Sequence, residues 1–122
     1  MNVIGYEGIG AVVMTMRADL EMEPGTVIEV KPYDVVYPSK DGDAVYGVAL
    51  STRSNIAQVQ LGGAVKVKCE NNIPTGWRRL VADGNGGVRE AVRDDSGAWE
   101  ENARQMLVLH YDVEANNVTI WL

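Results

Sequence analysis

The sequence predicts an all-β fold, a small β-barrel or β-sandwich of short antiparallel strands with little helix. Short runs of alternating apolar and polar residues are separated by turns rich in Gly, Pro and Asn. No segment longer than about 10 residues shows convincing helical spacing of its apolar residues. A chain of 122 residues is also of a size for one compact domain. We therefore expect one β domain over residues 1–122.

The N-terminal residues 1–16 are apolar and β-compatible, with Val12, Val13, Met14 and Met16 forming the clearest run. The segment has no early basic cluster and contains Glu7, which favours a strand over a signal peptide. We expect an N-terminal arm or an edge strand here. No run of about 18 apolar residues exists, so no membrane span is predicted.

A turn at Pro24-Gly25 precedes a predicted strand at Thr26–Lys31, whose alternation places Thr26, Ile28 and Val30 on the buried face. Pro32 ends this strand. The remaining segments predicted to be extended are Val35–Tyr37, Ala44–Leu50, Ala57–Leu61, Ala64–Cys69, Trp77–Ala82, Val88–Val92, Gln105–Val113 and Val118–Leu122.

The stretch Gly47–Cys69 shows the clearest alternation, with a turn predicted at Ser51–Asn55 and a bend or bulge at Gly62-Gly63. We interpret it as the rigid central sheet. Further along, Asp83–Gly87 has the composition of a hairpin turn, and Asp94–Asn102 is predicted to be a long polar loop.

Charge and cysteine content exclude several classes of function. Eleven basic and seventeen acidic residues give a net charge of −6, which argues against nucleic acid as the primary ligand. The single cysteine, Cys69, excludes an internal disulfide and supplies no thiol cluster. Asp41-Gly42-Asp43 is only a fragment of a calcium loop. We expect no metal and no cofactor.

Catalytic residue types are scarce. The one histidine, His110, shares a predicted strand face with Asp112. A relay would need this pair and a serine such as Ser51, Ser54 or Ser96, none of which lies in a nucleophile-elbow motif. An enzyme that uses His110 and Asp112 is therefore less favoured than a protein that only binds a partner protein or a small molecule.

The three tryptophans differ in their surroundings. Trp77 and Trp121 lie in predicted strands, which is typical of core or subunit-contact residues. Trp99 lies in the polar loop, where an indole has no local apolar partner. Because aromatic residues are enriched at interface hot spots, Trp99 is a candidate for binding a partner, although local core packing is the favoured interpretation.

Five motifs follow one another before a terminal apolar strand. They are a Pro-Gly turn, GVAL at Gly47–Leu50, QVQLGGAVKV at Gln58–Val67, a Thr-Gly-Trp step and LVADGNGGVREA at Leu80–Ala91. This order, over roughly Pro24 to Val92, resembles that of the capsid decoration, or cement, proteins of tailed bacteriophages. The resemblance implies a small β domain without catalytic residues.

The resemblance also implies a location and partners. It indicates a virion protein on the outer surface of the capsid that bridges neighbouring major capsid protein subunits, often as a homotrimer. An N-terminal arm could add a strand to the capsid, which makes Val3, Ile4 and Tyr6 candidate contact residues beside Trp99. The alternative is a small β-barrel or β-clip module that binds a carbohydrate or another small molecule, with Trp99 or Trp77 as a stacking platform.

Overall fold

Ten strands make up the architecture, as expected for an all-β protein. The computed structural model describes residues 10–32 and 35–122, and no helix within these ranges is long and apolar enough to span a membrane. The strands are β1 (Val12–Ala18), β2 (Thr26–Lys31), β3 (Val35–Pro38), β4 (Gly47–Arg53), β5 (Ile56–Gly62), β6 (Ala64–Lys68), β7 (Gly76–Ala82), β8 (Val88–Glu90), β9 (Arg104–Asp112) and β10 (Asn117–Trp121).

The first five strands close a barrel in the order β1-β3-β2-β4-β5. All neighbours in the barrel are antiparallel except β1 and β3, which pair in parallel at Arg17 and Ala18. The other five strands form a separate sheet in the order β6-β10-β9-β7-β8. Its pairs are all antiparallel. The molecule is thus a small barrel joined to a second sheet.

Two apolar cores follow from this arrangement. One core fills the barrel and includes Ile28, Val36, Ala49 and Val59. The other core lies between the barrel and the second sheet, where side chains from both parts pack together. Val27, Val45 and Val48 belong to the barrel side. The second sheet contributes Val65, Val67, Leu80, Met106, Val108, Val118 and Ile120. Burial of this shared core holds the two sheets together.

Strand β2 lies between the two cores, and this overturns part of the prediction for its faces. Thr26 and Ile28 are buried as predicted, but Val27 on the opposite face is fully buried as well. Val30, predicted to be buried, is exposed. Both faces are apolar at the start of β2 because one faces the barrel interior and the other faces the second sheet.

The interpretation of Gly47–Cys69 as one central sheet is wrong, because the chain changes sheets within it. Strands β4 and β5 belong to the barrel, whereas β6 is an edge of the second sheet. The change occurs at Gly63, whose φ of 84° lies in the left-handed region that glycine adopts without strain. The Gly-Gly pair predicted to form a bend is therefore the junction between the two parts of the fold.

The turn between β4 and β5 is shorter than predicted. Strand β4 continues to Arg53, and only Ser54 and Asn55 form the turn, with φ angles of 52° and 65°. Two adjacent residues with positive φ are typical of a tight two-residue hairpin. The hairpin at Asp83–Gly87 and the loop at Asp94–Asn102 are confirmed.

Candidate interaction surface

The outer face of the second sheet presents a row of large apolar side chains. Leu107 on β9 is the direct cross-strand partner of Trp77 on β7 and of Trp121 on β10. Residues directly opposite each other on antiparallel strands project from the same face. Trp77 is 64% exposed and Trp121 is 41% exposed, so this row faces outward. We call Trp77, Leu107 and Trp121 the tryptophan row.

The Trp121 end of the row is fixed by close backbone packing. A Cβ atom added to Gly10 would lie 2.7 Å from Cη2 of Trp121, so the backbone just before β1 lies against the indole. The amide of Leu122 also donates a hydrogen bond of 2.9 Å to the carbonyl oxygen of Gly63. Trp121 is therefore held in place, and its remaining exposed surface is presented in one orientation.

A stack of arginine and tryptophan continues the same face. Arg79 follows Trp77 by two residues on β7 and so projects from the same side of the sheet. Its Cζ atom lies 5.3 Å from the centroid of the Trp99 ring, and Cζ of Arg93 lies 4.4 Å from it. Both distances are within the range of cation–π contact. We call Arg79, Trp99 and Arg93 the arginine–tryptophan stack.

Trp99 is one of the four predicted partner-binding residues, and the structure places it in this stack, partly exposed. The indole does have local packing, because two guanidinium groups contact it. The other three, Val3, Ile4 and Tyr6, lie outside the described residues. Trp77 and Trp121 were predicted to be core or subunit-contact residues. The prediction of a core position is wrong, since both side chains are exposed.

The loop that carries Trp99 is anchored by Arg89 on β8. Its Nη1 and Nη2 atoms each donate a hydrogen bond of 2.7 Å to Glu100, and its Nε donates one of 3.0 Å to Oδ1 of Asp41. Oε2 of Glu100 also accepts a hydrogen bond of 2.9 Å from the amide of Val92. The hydrogen bonds between Arg89 and Glu100 lower the pKa of Glu100 and raise the pKa of Arg89.

A second hydrogen-bonded turn shapes the tip of this loop. Oδ1 of Asp94 accepts hydrogen bonds from the hydroxyl and the amide of Ser96, of 2.6 and 2.9 Å, and from the amide of Ala98, of 3.0 Å. The hydrogen bond from the Ser96 hydroxyl is the main cause that lowers the pKa of Asp94. The loop is therefore an ordered support for Trp99, although it has no regular strand of its own.

Strand β1 is a further exposed apolar feature. Val12, Val13 and Met14 are 57%, 45% and 49% exposed. The strand pairs with β5 along Val12–Arg17 but with β3 only at Arg17 and Ala18. Within the described ranges, the second edge of β1 before Arg17 has no strand partner. Such an edge can accept a strand from another chain.

The residues of the enzyme hypothesis do not form a relay in the part of the chain that the structure describes. His110 is exposed on β9, and Oδ1 of Asp112 accepts hydrogen bonds of 3.1 Å from the amides of Glu114 and Ala115 in the following turn. Ser96 donates its hydroxyl hydrogen to Asp94. The side chain of Asp112 is thus used to form the turn that follows β9.

The carboxylates considered for calcium have partners within the protein as well. Asp41 accepts from Arg89, and Oδ2 of Asp43 accepts a hydrogen bond of 3.0 Å from the amide of Lys40. No group of three or more His, Cys, Asp or Glu side chains among the described residues is arranged to hold a metal ion. Asp41-Gly42-Asp43 is thus the turn of a loop in this part of the structure.

A groove of about 570 Å³ opens beside β6 between the barrel and the second sheet. Leu50, Val65 and Val67 contribute apolar surface to it, and Gln60 lies at its base. The side-chain amide of Gln60 donates hydrogen bonds of 2.9 Å to the carbonyl oxygens of Gly62 and Ala64. Gln60 therefore bridges the junction between the two sheets, and none of the three tryptophans lines the groove.

The sequence reasoning missed Arg79, Arg93 and Leu107 as members of the surface. The i, i+2 spacing of Trp77 and Arg79 within one strand was a signal for a shared face. The alignment of Leu107 with both tryptophans depends on the register of three strands, which local alternation does not define. No protein-family model matches the chain, and no curated protein matches it.

Proposed function

We propose that this protein is a phage capsid decoration protein, which binds the outer surface of the assembled head and stabilises it by bridging major capsid protein subunits. The observation that carries the proposal is the tryptophan row next to the arginine–tryptophan stack on one face of a sheet. Tryptophan and arginine dominate the hot spots of protein–protein interfaces. The proposed activity is binding, and it requires neither a cofactor nor catalysis.

A protein surface suits this face better than a small ligand does. The row is a line of side chains on a sheet, not a concave pocket, and its supporting residues are held by cross-strand pairs and by the anchored loop. The resemblance of Pro24–Val92 to decoration proteins points in the same direction. Because such a protein binds the assembled shell, its binding shifts the equilibrium toward the intact head.

Self-association is part of the proposal, with a trimer as the expected state. The exposed side chains of Val12, Val13 and Met14 on β1 provide apolar surface on the barrel in addition to the row on the second sheet. A protein that bridges capsid subunits needs contacts both with the shell and with its own copies. Strand β1 supplies a surface for one of these roles and the tryptophan row for the other.

The test uses heads of the phage that encodes this chain, prepared without the decoration protein. The purified protein should co-sediment with these heads and raise the temperature at which they release DNA. Trp77→Ala should weaken binding at least about 10-fold, as loss of a hot-spot residue does. The matched control is Val113→Ala, because Val113 is 70% exposed in the turn between β9 and β10, outside the row. Absence of binding by the wild-type protein would refute the proposal.

The exposed indole of Trp77 also favours a second candidate, the binding of a carbohydrate by stacking. A glycan array distinguishes the two. Carbohydrate binding that Trp77→Ala abolishes, together with no binding to heads, would replace the decoration proposal. A binding signal that Trp77→Ala leaves unchanged would exclude Trp77 as the stacking platform.

A further inference from the structure

Arg79 and Arg93 are exposed cations without an acidic partner among the described residues. Neither guanidinium lies within ion-pair distance of a carboxylate of residues 10–32 and 35–122. Arg89, on the neighbouring strand, has two such partners in Asp41 and Glu100. Arg89 therefore organises the loop, whereas Arg79 and Arg93 face outward.

The two carboxylates that anchor the loop, those of Asp94 and Glu100, already accept hydrogen bonds within the protein. Asp94 accepts three hydrogen bonds from Ser96 and Ala98, and both oxygens of Glu100 accept from Arg89. The indole of Trp99 meanwhile restrains the two guanidinium groups by contact on its ring. Arg79 and Arg93 thus keep planar arrays of hydrogen-bond donors that match the geometry of a carboxylate.

We infer that the arginine–tryptophan stack binds carboxylates on an acidic and apolar segment of the capsid protein. This inference rests on the proposed function and names the chemistry of the partner. The carboxylates would accept hydrogen bonds from Arg79 and Arg93, while apolar side chains of the same segment would cover Trp77 and Leu107. The combination requires both kinds of side chain within one short stretch of the partner.

Charge complementarity supports this partner over a nucleic acid. The chain has a net charge of −6, so a polyanion that follows its surface would be repelled beyond the stack. A segment with a few carboxylates meets Arg79 and Arg93 locally and does not need a wide basic surface. The same local charge would orient the partner over the tryptophan row.

The experiment compares Arg79→Gln, Arg93→Gln and the double variant with Arg53→Gln, which changes an exposed arginine on the barrel strand β4. Affinity for decoration-free heads is measured by co-sedimentation at several salt concentrations, and the fold of each variant is checked by circular dichroism. Each single change at the stack should weaken binding at least about 10-fold. The double variant should also lose most of the salt dependence, whereas Arg53→Gln should bind as the wild type does.

The outcomes separate this inference from the proposed function. Heads that do not bind the wild-type protein refute the proposed function itself. Heads that bind the double variant as tightly as Arg53→Gln refute the inference and leave the function standing. If the double variant binds heads normally but no longer self-associates in sedimentation velocity, the carboxylates belong to a second copy and the inference is wrong. If binding of the wild-type protein to heads does not weaken as the salt concentration rises, the inference is also wrong.

Discussion

Arg89 shows how one side chain can organise a segment that has no regular secondary structure. It joins β8 to the loop at Asp41 and to the loop at Glu100 through hydrogen bonds of 2.7 to 3.0 Å. Arg89 and Glu100 are each about a quarter exposed, so water competes only in part for these bonds. The pair therefore contributes more than a fully exposed ion pair does.

Glu100→Gln should lower the free energy of unfolding by about 1–2 kcal/mol near neutral pH, because it removes the charge from two short hydrogen bonds. The pKa of Glu100 is lowered from its ordinary 4.5 in the folded protein. Its contribution is therefore fully present above pH 4.5 and is lost as the pH falls through the lower folded value. Chemical denaturation at neutral and acidic pH measures the difference.

The neighbouring exposed residue provides the control for this prediction. Glu101→Gln makes the same chemical change in the same loop, and Glu101 is exposed. It should change the unfolding free energy by less than about 0.5 kcal/mol. Equal losses for the two variants at neutral pH would mean that Arg89 does not anchor the loop through Glu100.

The hairpin of β7 and β8 packs closely on β6. The amide of Gly87 donates a hydrogen bond of 3.0 Å to Oδ1 of Asp83 within the turn. A Cβ atom on Gly87 would lie 2.7 Å from the carbonyl carbon of Lys68 and would overlap its oxygen. The absence of a side chain allows this hairpin to approach the edge of β6.

Gly87→Ala should lower the free energy of unfolding by about 3 kcal/mol, because the backbone of β6 cannot move aside as a flexible side chain can. Thermal or chemical unfolding checks the loss. Gly62→Ala is the comparison, since the added methyl group meets only Val12 at 3.4 Å. That variant should be unchanged or up to about 1 kcal/mol more stable. A Gly87→Ala protein as stable as Gly62→Ala would contradict the close approach.

The elements were largely predictable because alternation and turn chemistry act over a few residues. Thr26–Lys31 was predicted with the bounds that the structure shows, and Asp83–Gly87 was predicted as the hairpin turn. The failure at Val27 has a different origin. A strand between two cores is apolar on both faces, and the sequence of one strand does not show what covers its second face.

Exposed apolar residues occur on β1 of the barrel as well as on the second sheet. Before Arg17, the second edge of β1 has no strand partner among residues 10–32 and 35–122. An apolar edge of this kind favours pairing with another chain unless charges protect it. We therefore place the proposed self-association on β1. The test is to place a charge on that strand without disturbing a core.

Val13→Lys should shift the proposed trimer toward monomer by at least about 10-fold in its dissociation constant, because a lysine on an edge strand opposes strand pairing. Light scattering and sedimentation velocity measure the change. Val30→Lys is the matched control, since Val30 is 44% exposed on β2. It should leave the assembly state unchanged. A wild-type protein that is monomeric at all concentrations would refute self-association through β1.

The candidate surface was less predictable than the fold, and Trp99 shows why. Its position in a polar loop indicated an indole without local partners, yet Arg79 contacts it from β7 and Arg93 contacts it from just before that loop. Arg79 is 20 positions from Trp99 in the sequence, and a contact over that separation depends on the path of the loop. Trp77 could be paired with Arg79 by strand spacing, but its alignment with Trp121 required the register of the sheet.

The collection of Trp77, Trp99 and Trp121 on one surface has an optical consequence. Tryptophan emission depends on the polarity around the indole, and the sequence contains only these three tryptophans. A partner that covers this surface would remove water from Trp77 and Trp121 and shift their fluorescence to shorter wavelengths. The unlabelled protein therefore carries its own spectroscopic reporter of complex formation, and substitution of each indole in turn would show which part of the surface a partner reaches.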